Sequence, residues 1–157
     1  MPNGAEQRLT ALGIELPPAP QPVANYVPTL ISGDMLFISG QISKDLGGQI
    51  TVGHVGTACG SITVEQGAQA AKLCALNILA QAKAALGSLD RIEQVLRLTG
   101  FVASHADFRD QPIVINGASD VLVAVLGERG RHTRSAVGVA SLPMGAAVEI
   151  DAILRVR

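Results

Sequence analysis

Apolar positions along the chain change period several times, and each change predicts an element. Between Thr63 and Gly87 they fall at Ala68, Ala71, Ala75, Ile78, Ala82 and Leu86, a helical spacing that lines one face. Thr63 with Gln66 reads as a capping box there, and Gly87 as the stop. A second helix is expected over 112–126, ended by Gly127. A short one runs from Asn3, as its cap, through Leu12 to Gly13. Strand patterns occupy 23–31 and 35–39, turning at Gly33-Asp34, and then 92–103. Met35-Leu36-Phe37-Ile38 is apolar in both phases, so cover on both faces is expected. Pro17-Pro18-Ala19-Pro20-Gln21-Pro22 must be extended, because proline lacks the donor and fixes φ. The glycine-rich stretch 44–60 reads as loop and carries neither phosphate-binding glycine motif.

The end of the chain alternates twice. Ser135, Val137 and Val139 share one phase, and Arg134, Ala136 and Gly138 the other. Pro143 and Gly145 then suit positions i+1 and i+3 of a turn. Beyond it Val148, Ile150, Ala152 and Leu154 alternate with Glu149, Asp151 and Ile153. This is the pattern of a β-hairpin. Pairing its apolar phases would bring Arg134 and Glu149 to one face, roughly 13 Å apart at the backbone for a rise of about 3.4 Å per residue. The floor between them would be Ala136 and Gly138. A guanidinium fork suits a carboxylate ligand, and a carboxylate suits proton transfer with water. A cross-strand ion pair on a solvated face is the other reading of the same spacing.

Length points to one domain, 1–157, with 1–20 as a short helix and proline-rich lead-in. The order of elements predicts an α+β fold in which two long helices cover one face of a mixed sheet. A net charge of −1 supplies no basic field, which disfavours nucleic acid as a partner. Charged residues are only 16%, against about 25% in typical soluble domains, so surface hidden in an oligomer is expected. No apolar run is long enough for a membrane span. The first residues lack the basic and apolar segments of a signal peptide, so a cytoplasmic location with free Cys59 and Cys74 is expected. His54, His105 and His132 show no ligand spacing, and no metal is expected. Ser39 lacks a His or Asp partner in any triad-like motif, which makes it a wall residue before a nucleophile. Tyr26, taken alone, reads as amphipathic packing, and Asn116 as a first-turn helix residue.

Longer blocks add to this. Arg134-Ser135-x-Val137-x-Val139-Ala140-x-Leu142-Pro143, followed by Val148-Glu149-Ile150-x-Ala152-Ile153, resembles the C-terminal signature of the RidA/YjgF/UK114 family, also called L-PSP endoribonucleases. Tyr26 with Gly33-Asp34-Met35-Leu36-Phe37-Ile38-Ser39-Gly40-Gln41-Ile42 is similar to a second block, and Phe101-Val102 with Asn116 to a third. The resemblance implies a chorismate-mutase-like fold and a homotrimer, with the open sheet face inside and sites at the subunit interfaces. It also implies an enamine/imine deaminase, a hydrolase turning a small 2-imino acid into a 2-oxo acid and ammonia without cofactor or metal. Arg134 would hold the substrate carboxylate, and Glu149 would position water and move its proton. Ser39 and Gly40 would form a wall, Tyr26 would pack on the substrate, Asn116 would close the pocket and Ala136 would floor it.

Three substitutions, with the N-terminal helix and the glycine-rich stretch 44–60 that lengthen the chain, point to a longer, divergent branch. Ala136 stands where deaminase members carry Cys, Gly138 where they carry a larger residue, and His132-Thr133 where they carry Pro-Ala. A substrate other than the usual four-carbon imine fits these changes. Two rival functions share the resemblance. One is a non-catalytic regulatory trimer that binds a carboxylate or 2-oxo acid. The other is an RNA-cleaving protein, which the acidic balance and the lack of an aromatic-basic surface disfavour.

Overall fold

The computed structural model describes residues 4–157. Asn3, the expected cap of the first helix, lies outside the described residues. That helix, α1 (Ala5–Ala11), starts at Gly4 and is followed by Gly13 at φ 65°. Five strands form one mixed sheet: β1 (Thr29–Ser32), β2 (Met35–Ile42), β3 (Ile92–Ala103), β4 (Thr133–Val139) and β5 (Val148–Val156). Their order is β1-β2-β5-β3-β4; β3 and β4 are parallel and the other neighbours antiparallel. Helices α2 (Val64–Leu86) and α3 (Gln111–Leu126) pack on one face, as the order of elements predicts. Among the described residues no helix is long and apolar enough to cross a membrane.

The caps of α2 form as the sequence predicts. Gln66 N donates to Thr63 Oγ1 at 3.1 Å, Thr63 N donates to Gln66 Oε1 at 2.8 Å, and Gly87 ends the helix at φ 81°. Ala71, Ala75, Ile78, Ala82 and Leu86 are buried, but so are Asn77 and Gln81. The reason is the chain outside them. Gln81 Nε2 donates to Pro20 O at 2.5 Å and Asn77 Nδ2 to Lys44 O at 2.7 Å, so the proline-rich lead-in and the segment just after β2 cover the outer side of α2. Helix α3 comes down on β3 at Gly100, where a Cβ would lie 2.6 Å from Ile115 Cδ1. It meets α2 where a Cβ on Gly117 would lie 2.0 Å from Ala68 O. Glycine at these two positions sets how close the layers sit.

The terminal hairpin does not form. β3 lies between β4 and β5 and pairs with both. The turn at 143–145 exists, with Met144 at φ 59° and Gly145 at φ 72°, but it sits in a connection that crosses the end of β3. There Ala103 N donates to Ala147 O at 2.9 Å. A local turn signal fixes where a chain reverses, not which strand it then joins. The phase of β4 is also reversed from the expectation. Leu98, Gly100 and Val102 face the helices, and their partners on β4 are Arg134, Ala136 and Gly138. Glu149 pairs with Phe101 on the opposite face. The stretch 23–28 is loop, so β1 is shorter than expected. Within the chain β2 is covered on one face only: Leu36 and Ile38 are buried, while Met35 and Phe37 are exposed.

Candidate functional site

Arg134 stands on edge strand β4 against α3. Gly100 and Ala136 are neighbours in register and both small, which lets α3 approach the strand. The guanidinium donates from Nη1 to Ser119 Oγ at 3.0 Å, and from Nη2 to Asn116 Oδ1 at 2.8 Å and Pro112 O at 3.1 Å. All three acceptors are neutral, and no carboxylate pairs with Arg134 among the described residues. Ser119 is itself held by His132, whose Nε2 lies 2.9 Å from Ser119 Oγ and whose Nδ1 lies 2.6 Å from Gly130 O. Burial lowers the pKa of His132, with Arg134 adding to this against the opposing Gly130 carbonyl, so the ring is neutral at pH 7. A proton on Nδ1 then makes Nε2 the acceptor of the Ser119 hydroxyl, leaving the serine oxygen to receive Arg134. Asn116 was legible in the sequence. Ser119 and His132 were not, because a helix residue and a strand lead-in 13 positions apart carry no joint spacing.

Glu149 belongs to a second group on the other face of the sheet. The register of β2 against β5 shifts between Ile38 and Gln41, so Ser39 and Gly40 form a bulge beside Glu149. A Cβ on Gly40 would lie 2.1 Å from Glu149 Oε1, so the carboxyl rests directly on the glycine. Ser39 Oγ donates to Val27 O at 2.8 Å and Ser39 N donates to Pro28 O at 3.0 Å, which fastens the segment carrying Tyr26. Tyr26, Gly40 and Glu149 line one cavity of about 320 Å³, with Met144 and Lys44 also on its wall. Tyr26, Ser39 and Gly40 line an adjoining cleft on the open face. Burial, and to a lesser degree Asp151, raises the pKa of Glu149. Glu149 has no hydrogen-bond or ion-pair partner among the described residues.

The seven predicted residues therefore form two groups. Arg134, Asn116 and Ala136 lie at the α3 edge; Tyr26, Ser39, Gly40 and Glu149 lie at the β2–β5 bulge. Arg134 and Glu149 are separated by two strand spacings and three residues of register, roughly 14 Å between backbones, and by the sheet itself. The shared face expected from a hairpin is absent for this reason. Among the described residues no three His, Cys, Asp or Glu side chains gather as metal ligands.

Comparison with known proteins agrees with the fold. Protein TCP17 of Trypanosoma cruzi is 51% identical over 148 residues, covering 93% of this chain and 90% of that protein. The crystal structure of Atu1372 from Agrobacterium tumefaciens is 50% identical with a TM-score of 0.88, covering 98% of this chain and 92% of that one. An endoribonuclease-like protein from Shewanella oneidensis is 35% identical with a TM-score of 0.92, covering 98% of this chain and all of that one. More remote is Escherichia coli TdcF with bound serine, 27% identical with a TM-score of 0.63, covering 88% of this chain and 93% of that one. The family model described as "YjgF/chorismate mutase-like, putative endoribonuclease" matches residues 6–151, and the chain belongs to that family.

Proposed function

We propose that this chain is an imine deaminase-like hydrolase whose site is completed between copies, as in a homotrimer. One observation carries the reading: among the described residues, a positioned guanidinium bound only to neutral acceptors and a half-buried carboxylate with no partner each lack a countercharge. A ligand with a carboxylate at one end and a hydrolysable centre near it supplies what both lack. The serine bound to TdcF is a small carboxylate-bearing molecule, which supports this class of ligand.

The chemistry follows from the two groups. The substrate carboxylate docks on Arg134 through charge-assisted hydrogen bonds. Glu149 takes a proton from water as the oxygen bonds to the imine carbon, and that proton passes to the nitrogen. The carbinolamine so formed passes its hydroxyl proton to the nitrogen by way of Glu149, the C–N bond breaks as the C=O bond forms, ammonia leaves, and a 2-oxo acid remains. A carboxyl pKa raised by burial above its ordinary value suits a group that both accepts and returns a proton, and such transfer contributes about 10²–10⁴-fold. Tyr26 and Asn116 pack and close the pocket, and Ser39 and Gly40 shape its wall, with Ala136 as floor. No cofactor is needed for this hydrolysis.

The test is hydrolysis of an imino acid generated in situ by an amino-acid oxidase. Arg134→Ala is expected to abolish acceleration over the spontaneous rate; unchanged turnover removes the assignment. Binding of a 2-oxo acid by the native protein without accelerated hydrolysis would instead mark a non-catalytic carboxylate-binding protein. RNA cleavage, which the family's description names, has little support in a chain of net charge −1.

A further inference from the structure

A cleft of about 440 Å³ opens where the parallel strands β3 and β4 end and α3 begins. Side chains, more than position, give it a character. Ser104, His105, Arg109, Gln111 and Gly138 are on its wall. Ser104 is only 8% exposed; its oxygen accepts from Gln111 Nε2 at 3.5 Å, and its hydroxyl proton has no acceptor among the described residues. The Arg109 side chain has neither a hydrogen bond nor an ion pair there. His105 is bonded through Nε2 to Ser61 Oγ at 3.0 Å, and its Nδ1 has no hydrogen-bond partner among the described residues. Asp107 and Asp110 belong to the same loop but not to the wall. The cleft thus offers donors and one uncompensated positive charge, a set that suits an anionic oxygen group.

Two features join it to Arg134. Arg134, Ala136 and Gly138 share the helix-facing side of β4, so the floor from the guanidinium to the cleft carries only one methyl group. A Cβ at Gly138 would lie 2.7 Å from Gln111 Nε2 and 2.8 Å from Ser104 Oγ, and a larger side chain would fill the opening. Arg134 Nη2 is also bonded to the carbonyl of Pro112, the residue after Gln111. The guanidinium therefore meets α3 one residue along from the cleft wall, about 3.8 Å between consecutive Cα atoms plus the reach of a side chain.

We propose that the cleft is the distal half of the Arg134 site and that the ligand is dicarboxylic: a 2-imino or 2-oxo diacid of about five or six carbons, at about 1.5 Å per bond. Its first carboxylate sits on Arg134 and its second on Arg109 and the Ser104 hydroxyl. The chemistry of this inference rests on the imine-hydrolase reading; the binding does not.

Calorimetric titration separates the two. The native protein is expected to bind 2-oxoglutarate or 2-oxoadipate at least about tenfold more tightly than 2-oxobutanoate, the scale of one charge-assisted contact. In Arg109→Ala that ratio falls to near one, in Arg109→Lys part of it returns, and in Gly138→Leu the filled cleft removes it. Equal affinities in the native protein, no binding of any of the three acids, or a ratio unmoved in both Arg109→Ala and Gly138→Leu overturns the inference. A preference for diacids without imine hydrolysis would leave the cleft assigned and remove the enzymatic reading. Imine hydrolysis with no preference for diacids would do the reverse.

Discussion

At Glu149 the environment sets both charge and chemistry. Its neighbour Gly40 has no Cβ to keep the carboxyl in solvent, and burial raises the pKa above the ordinary carboxylate value. The folded state therefore binds this proton more tightly than the unfolded state does. Ionisation above the raised pKa opposes folding, and the penalty vanishes as pH falls below the unfolded value. Glu149→Gln, which cannot ionise, is expected to raise the melting temperature at pH 7–8 and to lose that advantage near pH 4. The same variant should be inactive, and native activity should rise with pH through an apparent pKa above the usual carboxyl range. Melting curves of both proteins across that range check the sign. A variant less stable than the native protein at pH 8 would show that the carboxylate is favoured by a contact the chain does not display.

The elements differ in how far the sequence disclosed them. The caps and stop of α2 and both ends of β3 were legible, because capping residues and apolar period act within a few positions. The partner of β4 was not. Its parallel pairing with β3 is made across α3, and nothing local distinguishes it from a hairpin with β5. The polar face of β4 misled for a related reason: small residues that look solvent-facing are there to admit a helix. Arg134 and Glu149, named together from the sequence, are thus set on opposite faces by the fold. Gly100 tests this account of the β4 face. Gly100→Val would push its branched side chain into Ile115, costing about 1–3 kcal/mol as overpacking. Lifting α3 would also draw Asn116 and Ser119 away from Arg134. Denaturant unfolding should show the loss of stability, and titration with a 2-oxo acid a weaker affinity. An unchanged unfolding midpoint would mean that α3 does not depend on that glycine.

For the whole molecule, the arrangement of the two half-sites has a consequence that no single copy can display. The face that carries Glu149 also exposes Leu30 (59%), Phe37 (36%) and Val137 (43%), apolar surface of the kind that associating proteins cover. Arg134 lies on the other side of the same sheet, at its β4 edge. If copies associate so that the edge of one meets the bulge of the next, each site takes its cation from one chain and its acid from another. Arg134→Ala and Glu149→Gln are then each inactive alone but defective in different halves. Co-assembly from an equal mixture of unfolded chains joins an intact Arg134 to an intact Glu149 in about one site of four, the product of two independent halves in a cyclic assembly. Activity near a quarter of the native value is the expected result, and none at all if both groups must come from one chain. Mixing the two folded variants without unfolding should restore nothing at first, with activity appearing only as fast as subunits exchange. Recovery that is immediate on mixing would mean that the two groups act on substrate in separate molecules, and the shared site would have to be abandoned.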